Sequence, residues 1–216
     1  MPRDQSPSLV HVVDDLQLNA VFVEYRGYGD STGTPAMATM LDDIKDVFEA
    51  LKLRQEDIIV YGRSIGSIFA IHFAHLYPNI AGLIIDSGLA HPFNLSGERL
   101  RKGIEEGKFD TLPKDAYETC KKEASILFDH ENKLKAYPGP LLLFHTKDDK
   151  VLPVEGADEM LQWAEKSRKK HLVKFEIGGH NYIWRMNVDE YCKQLREFIP
   201  AHCGHVVVPP KRCTIC

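Results

Sequence analysis

The sequence predicts an α/β fold, a mostly parallel sheet flanked by helices. Three observations lead there. Short β-branched or leucine-rich runs alternate along the chain with segments whose apolar residues recur every three or four positions, the pattern of strands joined by amphipathic helices. The run Ile58-Ile59-Val60 passes through Gly62-Arg63-Ser64-Ile65-Gly66 directly into such a helical segment. Finally, Ser64, Asp149 and His180 each follow a predicted strand, and right-handed crossovers put the carboxyl ends of parallel strands on one side, where the three should meet.

Composition bounds the reading. With 216 residues, 44% hydrophobic and 27% charged, the chain suits one globular domain with a sizeable core. A formal net charge of -4 gives no reason to expect nucleic acid as a partner. No apolar run reaches membrane-spanning length and no signal-peptide core is present at the N-terminus. Cys120, Cys192, Cys203, Cys213 and Cys216 form an odd, irregularly spaced set. Such a set does not read as a disulfide framework, so a reducing, cytoplasmic compartment is the expectation.

Each element has its own reason. Ser6-Pro7 signals a helix start, followed by Leu9, Val10, Val13 and Leu16 on one face. Ala20 to Glu24 is a strand candidate, running into a loop with glycines at 27, 29 and 33. Those glycines read as turn geometry, because the spacing of a phosphate-binding loop is absent. Thr34-Pro35 should cap a helix whose stripe is Met37, Met40, Leu41, Ile44, Val47, Phe48 and Leu51. After the Ile58 strand, Ile65, Ile68, Phe69, Phe73 and Leu76 share a helix face that Pro78 ends. Gly82 to Asp86, Pro140 to His145 and His171 to Ile177 are further buried strands, and Ala157, Met160, Leu161 and Ala164 mark a helix between the last two. Residues 89–139 break the rhythm, with a helix from about Lys114 to Phe128, and read as a lid-like insertion or a peripheral helix pair. A last helix carries Val188 to Ile199 and should stop at Pro200. The organisation expected is a domain over 1–200, with core 19–88 and 140–200, and a tail over 201–216.

Strand, G-x-S-x-G and helix together form the arrangement called a nucleophile elbow. Ser64 must stand on a strained turn, and glycines at 62 and 66 let strand and helix approach. The helix N-terminus would then aim the Ile65 N–H at developing negative charge. A serine hydroxyl needs a base in reach and a group to orient that base. His180 lies in a glycine-flanked loop after the last strand, and the order Ser64, Asp149, His180 suits such a fold. His145, at a strand end, is the rival histidine, with support of the acid loop as its expected role. This chemistry requires no metal or organic cofactor.

On EYRGYGDSTG (24–33), YGRSIGS (61–67), HTKDDKVLP (145–153) and GGHN (178–181), the chain resembles an α/β-hydrolase of the serine-aminopeptidase-like branch, which includes esterases and protein depalmitoylases. The likeness runs from about Asn19 to Phe198. It implies an α/β-hydrolase fold, with Ser64 as nucleophile, His180 as base, Asp149 as acid and Ile65 as an oxyanion donor. The family's acid is the fourth residue after the motif histidine, hence Asp149, with Asp148 left as a solvated neighbour or loop cap. The resemblance also implies an earlier strand ending in a His-Gly loop that donates the second oxyanion N–H. Neither that loop nor the first strands can be found before Ser6, so the sequence reads as N-terminally truncated. Losing one such donor costs about 2.7–4 kcal/mol of barrier lowering.

The expected activity is hydrolysis of an ester, thioester or amide in a small-molecule or acylated substrate. Its rival is a non-catalytic scaffold of the same fold, and a redox role for the cysteines fits poorly. Cys213-Thr214-Ile215-Cys216 fits C-a-a-X, so prenylation of Cys213 would bring the chain to a membrane. A zinc site from Cys203, His205, Cys213 and Cys216 and a plain flexible tail are the alternatives there.

Overall fold

The computed structural model describes residues 13–204 apart from 15, 110 and 114. Four strands, β1 (Ile59–Arg63), β2 (Gly82–Asp86), β3 (Leu141–Thr146) and β4 (Lys170–Phe175), lie side by side in that order, all parallel. Parallel neighbours need crossovers, and helices supply them. α1 (Met37–Leu51) precedes β1 and α2 (Gly66–Leu76) joins β1 to β2. Between β2 and β3 run α3 (Pro92–Glu105), α4 (Ala116–Leu127) and α5 (His130–Ala136). α6 (Glu155–Trp163) leads to β4, and α7 (Ile183–Met186) and α8 (Val188–His202) follow it.

The sheet divides the core in two. Side chains alternate across a strand, so Leu141 and Leu143 join Leu83 and Ile85 under α1, α2, α5 and α6. Leu142 and Phe144 join Ile84 on the other face, against Tyr191, Leu195, Phe198 and Ile199 of α8. Burial on both faces is why β2 and β3 read as continuous apolar runs. The same alternation brings a polar group inside. Asp86 is fully buried and accepts hydrogen bonds from Tyr61 Oη (3.0 Å), Tyr191 Oη (2.9 Å) and Ser87 Oγ (2.8 Å). Burial, with the carboxylate beside them, pushes both phenols well above their usual range.

The two outer strands differ. β4 exposes Lys170, His171 and Lys174. Among the described residues no strand pairs with the outer side of β1, where Tyr61 is partly exposed. The expected strand at Ala20–Glu24 does not form: the segment pairs with no strand among the described residues, and Val21 is 64% and Phe22 60% exposed. β-branched residues favour a strand only when a neighbour takes up its N–H and C=O groups, and no such neighbour is present among the described residues.

Three smaller expectations also change. Pro200 lies inside α8, which continues to His202. In the last turn a proline forfeits one hydrogen bond, and Cys203 N–H still reaches Ile199 O at 2.9 Å. The cap position of α1 is Ala36, with no side-chain cap bond, in place of Thr34. Residues 89–139 hold three helices, where the sequence pattern marks one from about Lys114 to Phe128 within a lid-like insertion or helix pair. The first helix and the tail fall mainly outside the described residues. Of the tail's candidate metal ligands, Cys203 is described, and its thiol is buried in the second core with its pKa pushed up to about 11 by desolvation. No helix among the described residues is long and apolar enough to cross a membrane.

Candidate active site

β1 ends at Arg63, and Ser64 follows with φ +50°, in the left-handed region that a serine occupies only under strain. The turn is held from both sides. Ser64 N–H donates to Asp86 O of β2, and Ser67 N–H to Ser64 O, each at 2.9 Å. Gly62 is required for space: a Cβ there would lie 2.5 Å from Ala70 Cβ and 2.6 Å from Gly66 O. Gly66 is not required in the same way, since its Cβ would meet only the Tyr25 hydroxyl at 3.4 Å. Ile65 caps α2, so its N–H belongs to the first-turn donors that find no acceptor within the helix.

The three residues that sequence order connects are adjacent here. Ser64 Oγ lies 2.8 Å from His180 Nε2, and His180 Nδ1 lies 2.8 Å from Asp149 Oδ2. The Asp149 side chain is fully buried and that of His180 is 9% exposed. Asp149 Oδ1 accepts the N–H groups of Val151 (2.8 Å) and Leu152 (2.9 Å). That leaves Oδ2 for the imidazole and fixes the Nδ1–H tautomer, with Nε2 free to accept from Ser64.

His145 is fully buried with Nε2 3.3 Å from Asp149 Oδ2 and 3.1 Å from Leu152 O. It braces the acid loop. Asp148 bonds the backbone just before His180. Its carboxylate accepts Gly179 N–H (2.7 Å) and Gly178 N–H (3.2 Å), and those bonds hold its pKa below the usual carboxylate value. Thr146 Oγ1 donates to Gly179 O at 3.0 Å. Sequence reasoning missed Arg63, whose Nη2 donates to His180 O at 2.6 Å. A strongly charged residue inside an otherwise apolar strand end was the available signal.

Beside Ile65 opens a cavity of about 320 Å³ walled by Tyr25, Met37, Met40 and Phe69. The Tyr25 ring packs on Phe69 at 4.3 Å, and burial raises its pKa, which keeps the phenol protonated. The preceding loop turns on itself through Gly27 N–H to Thr32 O and Ser31 N–H to Tyr28 O, with Gly27, Gly29 and Gly33 at positive φ. A larger hollow, about 550 Å³, lies at β4 among Lys147, Lys170 and Lys174, and none of Ser64, Asp149 and His180 lines it. Among the described residues no cluster of His, Cys, Asp or Glu is arranged to hold a metal ion.

The parallel sheet flanked by helices and the strained elbow at a strand's carboxyl end give the chain an α/β-hydrolase fold. The profile of the Hydrolase_4 family, described as serine aminopeptidase, S33, matches residues 5–104. Among curated proteins, the chain is 28% identical over 219 residues to the lysophosphatidylserine lipase ABHD12 of Rattus norvegicus, covering 91% of this chain and 52% of that protein. It spans about half the length of the curated relatives it matches. Among solved structures, the Pyrococcus furiosus esterase Pf2001 aligns with a TM-score of 0.68 at 20% identity, covering 91% of this chain and 76% of that one. Est1E from Butyrivibrio proteoclasticus, with bound ferulic acid, aligns at 0.66 and 18% identity, covering 92% and 84%.

Proposed function

We propose that this chain is a serine hydrolase that cleaves an ester, thioester or amide through an acyl-enzyme. The observation that supports it is the unbroken relay from Ser64 Oγ through His180 to Asp149, with both links at 2.8 Å. Ser64 Oγ attacks the acyl carbon while His180 Nε2 takes its proton. Asp149 keeps the ring oriented and stabilises the imidazolium. The Ile65 N–H donates to the oxyanion, assisted by the dipole of α2. His180 then gives its proton to the leaving group, and water, deprotonated by the same nitrogen, releases the acid. A small-molecule ester is the first substrate class and a long-chain acyl thioester the second. The names of the lipase and esterase relatives favour an ester. The residues 89–139, as α3 to α5, act as a lid over this edge within one domain of residues 1–200.

A fluorophosphonate probe should label the protein at Ser64, and Ser64→Ala should abolish labelling. Labelling that survives the change places the nucleophile elsewhere. The rival reading, a non-catalytic scaffold, is favoured by the outer side of β1, which no strand pairs among the described residues and where the family resemblance puts the strand bearing a second oxyanion donor. It predicts no labelling of the unaltered chain. Membrane attachment through a prenylated Cys213 is tested by the mass of the C-terminal peptide from native cells.

A further inference from the structure

We propose that Arg63 is a positioning residue: its guanidinium fixes the loop that carries His180 against the turn that carries Ser64. The inference rests on the serine-hydrolase reading above. Arg63 immediately precedes Ser64, at the end of β1. Its Nη2 donates to the main-chain oxygen of His180 at 2.6 Å and to Asn181 Oδ1 at 3.3 Å. One side chain therefore ties the residue before the nucleophile to the backbone of the base.

The loop needs such a tie. Gly178 has φ +136° and Gly179 φ +51°, so the two peptides leading to His180 lack side chains that could anchor them, and glycine backbone is the most costly to order. Asp148 and Thr146, both from the end of β3, grip Gly178 and Gly179. Tyr182 N–H donates to Gly178 O at 2.9 Å and Asn187 Nδ2 to Ile177 O at 2.8 Å, so these contacts too fall on the residues before His180. Arg63 reaches it from the β1 side, at His180 itself. The arrangement carries a cost, because Arg63 Nε is buried and has no hydrogen-bond partner. A charged group kept there at such a cost must contribute through its other contacts. A charge-assisted bond to a carbonyl is a strong one, and this carbonyl belongs to the residue whose ring must stay 2.8 Å from Ser64 Oγ.

The test compares wild type with Arg63→Gln, Arg63→Lys, Asn181→Ala and Ser64→Ala. It follows p-nitrophenyl acetate hydrolysis and the rate of fluorophosphonate labelling, each well below the variant's melting temperature. A misplacement near 1 Å costs on the order of 100-fold. Arg63→Gln should therefore lower kcat by about 30- to 100-fold with KM within about twofold, and slow labelling by the same factor. Arg63→Lys should fall between the two, since an ammonium keeps the charge and a donor but sits on a shorter stem without the planar geometry of the guanidinium. Asn181→Ala, which removes the longer contact, should cost less than about threefold. The proposal is overturned by an Arg63→Gln kcat within about threefold of wild type, by a loss that sits in KM, or by a lysine variant no better than glutamine. Where Arg63→Gln does not fold, Arg63→Lys decides: a kcat several-fold below wild type supports the role and a wild-type value overturns it. A wild-type chain that is neither labelled nor active overturns the hydrolase reading and Arg63's role with it. A labelled wild type matched by Arg63→Gln overturns the positioning role alone.

Discussion

Replacing Asp149 by Asn tests the relay at its deepest point with almost no change in volume. Asp149 uses both oxygens: Oδ1 takes Val151 and Leu152 N–H, and Oδ2 takes the imidazole N–H. An asparagine has one oxygen. Two backbone donors outweigh one ring donor, so that oxygen stays on Val151 and Leu152 and the amide NH₂ turns to His180 Nδ1. Nδ1 must then accept, the ring proton moves to Nε2, and Nε2 can no longer take the Ser64 proton. In a serine protease triad the corresponding wrong tautomer costs about 10⁴ in kcat, or about 5.4 kcal/mol. The bonds to Val151 and Leu152 survive, so the melting temperature should fall by only a few degrees, as for a loss of about 1 kcal/mol. Ester hydrolysis and fluorophosphonate labelling should fall together by about 10³–10⁴, with the circular dichroism spectrum unchanged. A folded Asp149→Asn protein that loses less than about tenfold would refute the tautomer reasoning and remove Asp149 from the relay.

The remaining predictions concern space and protons. Gly62→Ala should destabilise by about 1–3 kcal/mol in urea unfolding, because its Cβ meets Ala70 and Gly66 O, whereas Gly66→Ala should be near neutral or stabilising. Asp148 has its folded pKa depressed by the Gly179 and Gly178 N–H groups, so its contribution is present above the unfolded value and lost as pH falls through the folded one. Asp148→Ala should flatten the acid side of the stability curve and lower kcat through the His180 loop. His130 is buried against Leu89 O at 2.9 Å, and desolvation lowers its pKa from 6.5 to about 4. It stays neutral when folded and takes a proton when unfolded, so stability falls as pH drops from 6.5 towards 4, by on the order of 3 kcal/mol. A His130→Gln chain should lose less stability than wild type over that interval in chemical denaturation.

Much of the candidate site's geometry was legible because each of its parts follows a local pattern. The strand before Ser64, the helix after it and the glycine loop before His180 each leave a sequence pattern, and the α/β layout then gathers them. Gly82–Asp86 matches its predicted bounds because it is buried on both faces, and Met37–Leu51 carries its predicted apolar stripe although the cap is Ala36 and not Thr34. Ala20–Glu24 shows where local pattern stops being enough. Its residues have strand propensity, yet whether they pair depends on what lies alongside, which no window of five residues contains. Arg63 and Thr146 escaped for a related reason. Their partners are main-chain atoms of Gly179 and His180, and a backbone acceptor has no residue type for a motif to record.

The unlike margins of the sheet bear on how this protein behaves when concentrated. Lysines along β4 turn away a second copy by charge and by the cost of stripping water from them. Tyr61 on β1, whose outer side no strand covers among the described residues, offers no such deterrent, nor do the exposed Val21, Phe22 and Val23 of the segment before α1. Unwanted assembly in storage or overexpression should therefore begin at these apolar residues and not at β4, and a single lysine introduced at Phe22 should do more for colloidal stability than several placed beside β4.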